Sequence, residues 1–430
     1  MRMTIITLCS FIEAINADTL FVPVGVPISF VIAESHSGDV IVFEEGSHLG
    51  PITPFGRNLT LGSRMIVDGD QSWTDRTAIE APVDFEDSSS AAIFCHGEQN
   101  ITLVGLTLRG ATGTYDELYG TQAGGCVYVN RSNVKFDNCR LTGGSAFYGG
   151  GLFVSGTPWQ RDAHVQLCNS VLDSCQALEW GGGVYASHCT LTVRNTSFED
   201  ISCGMATAAI NALTSHVELE SLRVSRCTGG VGGVAVYGGW GRVVASEFIE
   251  NSTPETGFCN DLYVSDFWGV VERCVFHDEH APFPSVFIGG PYGETFFRGN
   301  ILEDNSTSTV TGTLIINNRN GNLMTHNIFR NNRNILGGAL FAFGDADAIV
   351  EFNTFVGNSS MDAEGGSVLR SNTRGTPRLV NNIISGNFGN CVSMNSAYPV
   401  RIDARNNWWG HESGPYHPTL NPTGQGDTLL

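Results

Sequence analysis

The chain has 430 residues, a formal net charge of −20 and only 15% charged residues, with 52 Gly and 12 Cys. This acidic balance excludes a phosphate-neutralising nucleic-acid surface and disfavours docking on anionic lipid; Lys135 is the single lysine. The cysteines stand singly, with no CxxC and no Cys/His cluster at metal spacing, which excludes the standard zinc motifs and leaves buried free thiols as the expectation.

In chain order, residues 1–17 (MRMTIITLCSFIEAINA) carry Arg2, a short apolar run and Ala17, the pattern of a secretory signal peptide interrupted by Glu13. A first helix, or a start codon assigned inside a longer gene, are the alternatives. We assign 1–27 to a leader and 28–430 to one domain. No later stretch is long and apolar enough to span a membrane. Residues 28–50 (ISFVIAESHSGDVIVFEEGSHLG) predict a short amphipathic helix, a turn at Gly38-Asp39, a strand at Val40-Ile41-Val42-Phe43 and a turn at Glu45-Gly46.

From there the chain repeats. FIEN (248–251), LEDN (302–305), FRNN (329–332), FVGN (355–358) and ISGN (384–387) extend into an apolar ladder: Leu108, Leu141, Val171, Phe198, Val224, Phe248, Phe276, Leu302, Phe329, Phe355, Ile384 and Trp409. Asn300, Asn327, Asn353, Asn382 and Asn407 stand two residues before its last five members, a place that Cys139, Asn169, Thr196, Ser246 and Cys274 take upstream. Paired glycines precede alternating apolar runs such as GGCVYV (124–129), GGGLFV (149–154) and GGGVYA (181–186). Alternation with period two in Val-, Ile- and Phe-rich runs selects strands, and Gly pairs break helices. Each repeat is therefore one coil of short strands. About twelve coils stacked at about 4.8 Å give a rod roughly 55 Å long. The Asn column is expected to be structural, each amide bonding its counterparts in the neighbouring coils. The chain closes on NNWWGHESGPYHPTLNP (406–422), in which Asn407 and Trp409 continue the two columns. We read 406–427 as the closing cap; a metal or acid–base site at His411, Glu412 and His417 is the alternative.

The helix, the GD turn, the strand, the xxG turn and a further strand at Asn58-Leu59-Thr60-Leu61 resemble the opening of right-handed parallel β-helix proteins of the pectin-lyase-like superfamily. The FxxN and GGA-type signatures resemble polymorphic outer-membrane protein repeats, and the tail resembles the C-terminal signature of many secreted β-helix proteins. The resemblance spans residues 28–427 and implies an all-β, right-handed parallel β-helix with a short N-terminal capping helix. It also implies a secreted or cell-surface location and a polysaccharide or cell-surface partner. The calcium–arginine set of pectate lyases and the Asp motifs of polygalacturonases are not found.

Two groups of residues are candidates for function. Eight residues before the Asn column stand Arg131, Arg161, His188, Asp266, Tyr292, Arg319, Asp345 and Arg374. There Arg319 or Arg374 would serve as base or uronate clamp, with Asp345 and Asp347 binding calcium; no cofactor is otherwise required. A surface ion ladder is the plainer reading. The second group is aromatic: Tyr148, Trp180, Trp240 and Trp268, with Tyr115, Tyr119, Trp159 and Tyr292, beside the widest loops at 110–123 and 156–163. The expectation is a non-catalytic adhesive or glycan-recognition rod, with a polysaccharide lyase or glycoside hydrolase as the alternative.

Overall fold

The computed structural model describes residues 17–429 apart from 83–89, 255, 278–279, 309–310, 319–321, 364, 396 and 398–400. Most of the stretch assigned to a leader, 1–16, lies outside them. The strand Thr19–Val22, inside 1–27, already pairs with Val40–Phe43.

The chain winds into a right-handed parallel β-helix of about twelve turns. Each full coil presents strands on three faces, here called A, B and C, and several coils add a short fourth strand after C, such as Gln176–Trp180. In one coil these are Leu152–Ser155, His164–Cys168 and Val171–Asp173. Face C stacks thirteen strands among the described residues, from Gly46–Leu49 to Ile383–Ser385. Faces A and B merge into one sheet because Ile210–Glu220 and Val234–Val244 run unbroken round the corner between them. One cluster of buried side chains runs from Val22 to Trp409, so the rod has a single continuous core. Its N-terminal end is covered by the helix Ile28–Glu34, which buries Ile28 and Ile32. The strand expected at Asn58-Leu59-Thr60-Leu61 runs from Thr60 to Ser63.

The apolar ladder is the inward column of face C. Eleven of its twelve members are in register. The exception is Val171, which pairs with Arg140; Leu172 takes the inward place opposite Leu141. Ile79 and His48 continue the column toward the N-terminus.

The corner between B and C is left-handed in coil after coil, at Asn138, Asn169, Asn195, Ser221, Ala245, Arg273, Gly299, His326, Phe352, Asn381 and Asn406. The residue after it turns inward. So it is the preceding residue, not the Asn column, that adopts positive φ, and Ser170 rather than Asn169 fills the column. Asn300 Nδ2 donates to Asn327 Oδ1 (3.0 Å) and to Val271 O (3.0 Å), while Asn300 N donates to the same Asn327 Oδ1 (2.9 Å). Asn327, Asn353 and Asn382 repeat this arrangement, which ends at Asn407. The terminal Asn of the FxxN motif forms a second ladder, Asn305–Asn332–Asn358–Asn387. That ladder stops at Asp427, whose carboxylate accepts from Asn387 Nδ2 (2.8 Å), Asn387 N (2.9 Å) and Gly386 N (2.8 Å). An ionised carboxylate only accepts, so it can receive the last amide and pass nothing on. Three of the seven Asn-x-Ser/Thr triplets (Asn251, Asn305 and Asn358) begin with a buried Asn.

The glycine pairs close the turn into face A. Gly149 has φ +65, and a Cβ on Gly150 would lie 2.2 Å from the Gln176 carbonyl oxygen. These glycines serve close coil approach. The eleven described cysteines are free thiols. Burial pushes Cys139, Cys189, Cys227 and Cys274 up to about 12, so they pack as neutral side chains.

Asn327→Ala strands Asn300 N and one Nδ2 hydrogen of Asn300 in the core and takes the amide donor from Phe297 O, while Asn353 Oδ1 keeps its bond from the backbone N of residue 327. We expect a loss of roughly 2–4 kcal/mol, read from denaturant unfolding. Asp427→Ala is expected to speed amide exchange at Gly386 and Asn387 while leaving coils near Leu141 protected; uniform loss of protection would contradict the capping role.

A candidate binding track on face B

The eight aromatic candidates divide into two environments. The loop 110–123 folds as an antiparallel pair, Thr114–Asp116 with Thr121–Ala123. It is pinned by the buried Asp116 carboxylate, which accepts from Leu118 N (2.8 Å), Tyr119 N (3.0 Å) and Tyr128 Oη (2.7 Å). This seats Tyr119 against Tyr148, Phe153 and Tyr185, at ring distances of 5.1, 5.5 and 5.9 Å. Tyr148 is in register with Trp180, and both pack on the Tyr128–Phe153–Tyr185 stack that covers the outer side of face A. Burial, helped by the Glu179 carboxylate that accepts from its hydroxyl, raises the Tyr148 phenol to about 12. Tyr148 and Trp180 are half-buried packing residues of this layer.

Trp240 and Trp268 are exposed instead. They point outward from face B on successive coils, in a column that reads Asn133, His164, Thr190, His216, Trp240, Trp268, Glu294. The seven positions span roughly 29 Å at the parallel strand spacing. His216 stacks on Trp240 with ring centroids 5.3 Å apart. The Arg161 guanidinium lies 3.9 Å from the Trp240 ring centroid, a cation–π contact.

Arg161 reaches that far because the loop 156–163 runs along the rod. Asp162 holds the loop together by accepting from Thr157 N (2.6 Å) and Thr157 Oγ1 (2.8 Å). Burial opposes Asp162 ionisation, but these bonds and the Arg131 charge outweigh it and hold the carboxyl below its usual range. Burial, then the Arg161 charge, lowers His188. Trp159, at the tip, is 91% exposed.

The N-terminal end of the column opens into a trough. Cavities of about 650 and 520 Å³ share Cys95 and Arg131, and a third of about 370 Å³ shares Gln99, Asn133 and His164 with the second. Three carboxylates here are engaged in structure: Asp116 and Asp162 as above, and buried Glu98 by Gly56 N (3.0 Å), His96 N (3.0 Å) and Ser132 Oγ (2.7 Å); Glu117 is exposed at the wall of the cavity of about 650 Å³. What the track offers a ligand is chiefly aromatic faces, side-chain amides, imidazoles and guanidinium groups, with Glu294 at its far end.

The charged column is only partly a column. Arg131, His188 and Asp266 occupy the left-handed corner between A and B; Arg161 belongs to the loop, and Tyr292 follows the corner. Arg319 lies outside the described residues. The pairing of Gly344 with Thr373 sets Asp345 beside Arg374 on successive coils, at the rim of a cavity of about 310 Å³ that Asp345 lines with Asn317. Asp347 Oδ1 accepts from Thr376 N (2.5 Å) and Thr376 Oγ1 (3.2 Å), tying two coils together. Among the described residues no three His, Cys, Asp or Glu side chains gather as a metal would require. In the tail, His411 Nδ1 accepts from Ser413 N (3.2 Å), and His417 Nδ1 from Thr419 N (3.1 Å) and Leu420 N (2.9 Å). Both imidazoles organise turns.

The division of the aromatics is measurable. Tyr119→Ala is expected to lower stability by roughly 2 kcal/mol as a half-buried, packed ring is lost, whereas Trp268→Ala changes it by less than about 0.5 kcal/mol. Equal effects in urea unfolding would contradict the assignment.

No family model matches the chain, and no curated protein matches it. Among solved structures, the catalytic domain of a GH87 alpha-1,3-glucanase variant in complex with tetrasaccharides is similar at 13% identity and a TM-score of 0.35, over 91% of this chain and 69% of that one. The same catalytic domain in complex with nigerose gives 11% identity and a TM-score of 0.32 over the same shares. At such scores the fold rests on the strand pairing itself.

Proposed function

We propose that the protein is a glycan-recognition rod, exported to the cell surface or beyond, that holds a polysaccharide along the face B track. The observation that carries this reading is the in-register column from Asn133 to Trp268, which ends in a trough at one side and in two exposed indoles at the other. Indole faces stack on the apolar faces of sugar rings, and amides and imidazoles bond hydroxyl groups. A polysaccharide repeats along its length as the coils do, so successive sugars meet successive coils. The FxxN and GGA-type repeats, which resemble those of outer-membrane surface proteins, agree with such a role. Replacing Trp240 and Trp268 together by Ala is expected to weaken binding to a retained polysaccharide by at least about tenfold, on the order of 1.4 kcal/mol, in affinity electrophoresis. Unchanged retention of the double variant would reject the track.

A second reading, a lyase or hydrolase acting on acidic polysaccharide, draws on the juxtaposition of Asp345 and Arg374. It predicts new unsaturated or reducing ends when the protein is incubated with pectate or alginate, lost in Asp345→Asn and Arg374→Ala. No product from folded protein, with calcium or with chelator, would exclude it.

A further inference from the structure

We infer that the glycan held on this track is anionic, its carboxylate or sulfate groups received by Arg131 and Arg161. This rests on the binding reading above and specifies its ligand. In a chain of net charge −20, most cations on face B are neutralised within the protein. Lys135 Nζ lies 3.3 Å from Asp137 Oδ2, Arg194 Nε 3.5 Å from Glu220 Oε2, and Arg242 Nε 2.5 Å from Glu218 Oε2. Arg131 and Arg161 differ. Neither forms an ion pair among the described residues, yet both are held in place.

Arg131 sits at φ +48 in the corner, its Nε donating to Asn130 Oδ1 (3.2 Å). Asn130 in turn donates from Nδ2 to Tyr128 Oη (3.1 Å), and Tyr128 donates to the buried Asp116 (2.7 Å). This string fixes the guanidinium at the wall shared by the two largest trough cavities. The Arg161 guanidinium carbon lies over the Trp240 ring, three coils further along. Stacking leaves the N–H edge of a guanidinium free to bind a carboxylate or sulfate in two-pronged fashion. The imidazoles of His164 and His216 lie in the column beside these positions. Of the carboxylates lining the trough, Asp162 is turned into its own loop by Thr157 and Asp116 is bonded to Tyr128, while Glu117 is exposed and makes no ion pair with Arg131 among the described residues. Two fixed guanidinium groups on one track, neither in an ion pair among the described residues, select a ligand whose negative charges recur along its length.

The test uses the full chain and matched pairs of polymers: polygalacturonate against its methyl ester, and dextran sulfate against dextran. The first pair reports carboxylate and the second sulfate. At low ionic strength the charged member of at least one pair is expected to bind at least about tenfold more tightly, with the preference shrinking as ionic strength rises from about 0.01 to about 0.15 M. Arg131→Gln and Arg161→Gln should each reduce that preference several-fold. Trp268→Ala should weaken both members alike. Equal, salt-insensitive binding of charged and uncharged polymers, or a preference untouched by both Arg variants, overturns the inference and leaves the glycan rod standing. Binding to none of the polymers by protein that retains its sheet content removes both.

Discussion

A buried side-chain amide that donates and accepts at once is the interaction on which this rod depends. The sharp corners on either side of face C take backbone polar groups out of water at every coil. Along the last third of the chain, Asn300 to Asn407 before face C and Asn305 to Asn387 after it satisfy them by bonding both to the next amide and to the carbonyls of the preceding coil. Buried amides left unbonded cost more than their bonds return, so one coil slipped against its neighbour would leave unpaired groups in both. Upstream the same position is held in some coils by hydroxyls, as where Cys139 N donates to Ser170 Oγ (3.1 Å) and Leu222 N to Ser246 Oγ (3.1 Å), and in others by Cys139, Leu222 and Cys274.

That inner register carries over to the outside. A strand alternates between core and solvent, so once Leu167, Val193 and Leu219 are aligned inward, His164, Thr190 and His216 are aligned outward. The candidate track is the outer print of the core ladder. The loops at 110–123 and 156–163 are long insertions at corners, where they do not disturb either ladder. One packs down as a lid over the aromatic layer of face A, and the other carries Arg161 to Trp240.

The fold was legible because apolar, Gly and Asn positions recur with the coil. The core column could be read almost residue by residue. Its one slip, Val171 for Leu172, lies where two apolar residues adjoin and pattern alone cannot choose. Asn169 misled for a related reason: it serves the left-handed corner, while Ser170 faces inward. The FxxN asparagines were visible as a motif but not as a second ladder, since a motif does not say what its side chain touches. The site was less legible. Tyr148 and Trp180 stand beside glycines just as exposed aromatics do, but another segment covers them. Counting back from the Asn column failed for the charged residues because the stretch between faces A and B changes length from coil to coil. Counting along face B, where strand length is constant, would have placed His216, Trp240 and Trp268 together.

The carboxylate of Asp427 makes the length of the rod independent of its chemistry. From Asn300 to Asn387 each coil presents its neighbours with the same pair of amides above and below, so a coil duplicated or deleted there rejoins the same ladders and meets the same cap. Reach can therefore change by whole coils, through unequal recombination within the repeats, without altering how either end is finished. The track bears such changes less easily: a coil gained between His164 and Trp240 would draw Arg161 away from its indole, so the segment holding the loop and its partner is the part of the array whose coil number is constrained.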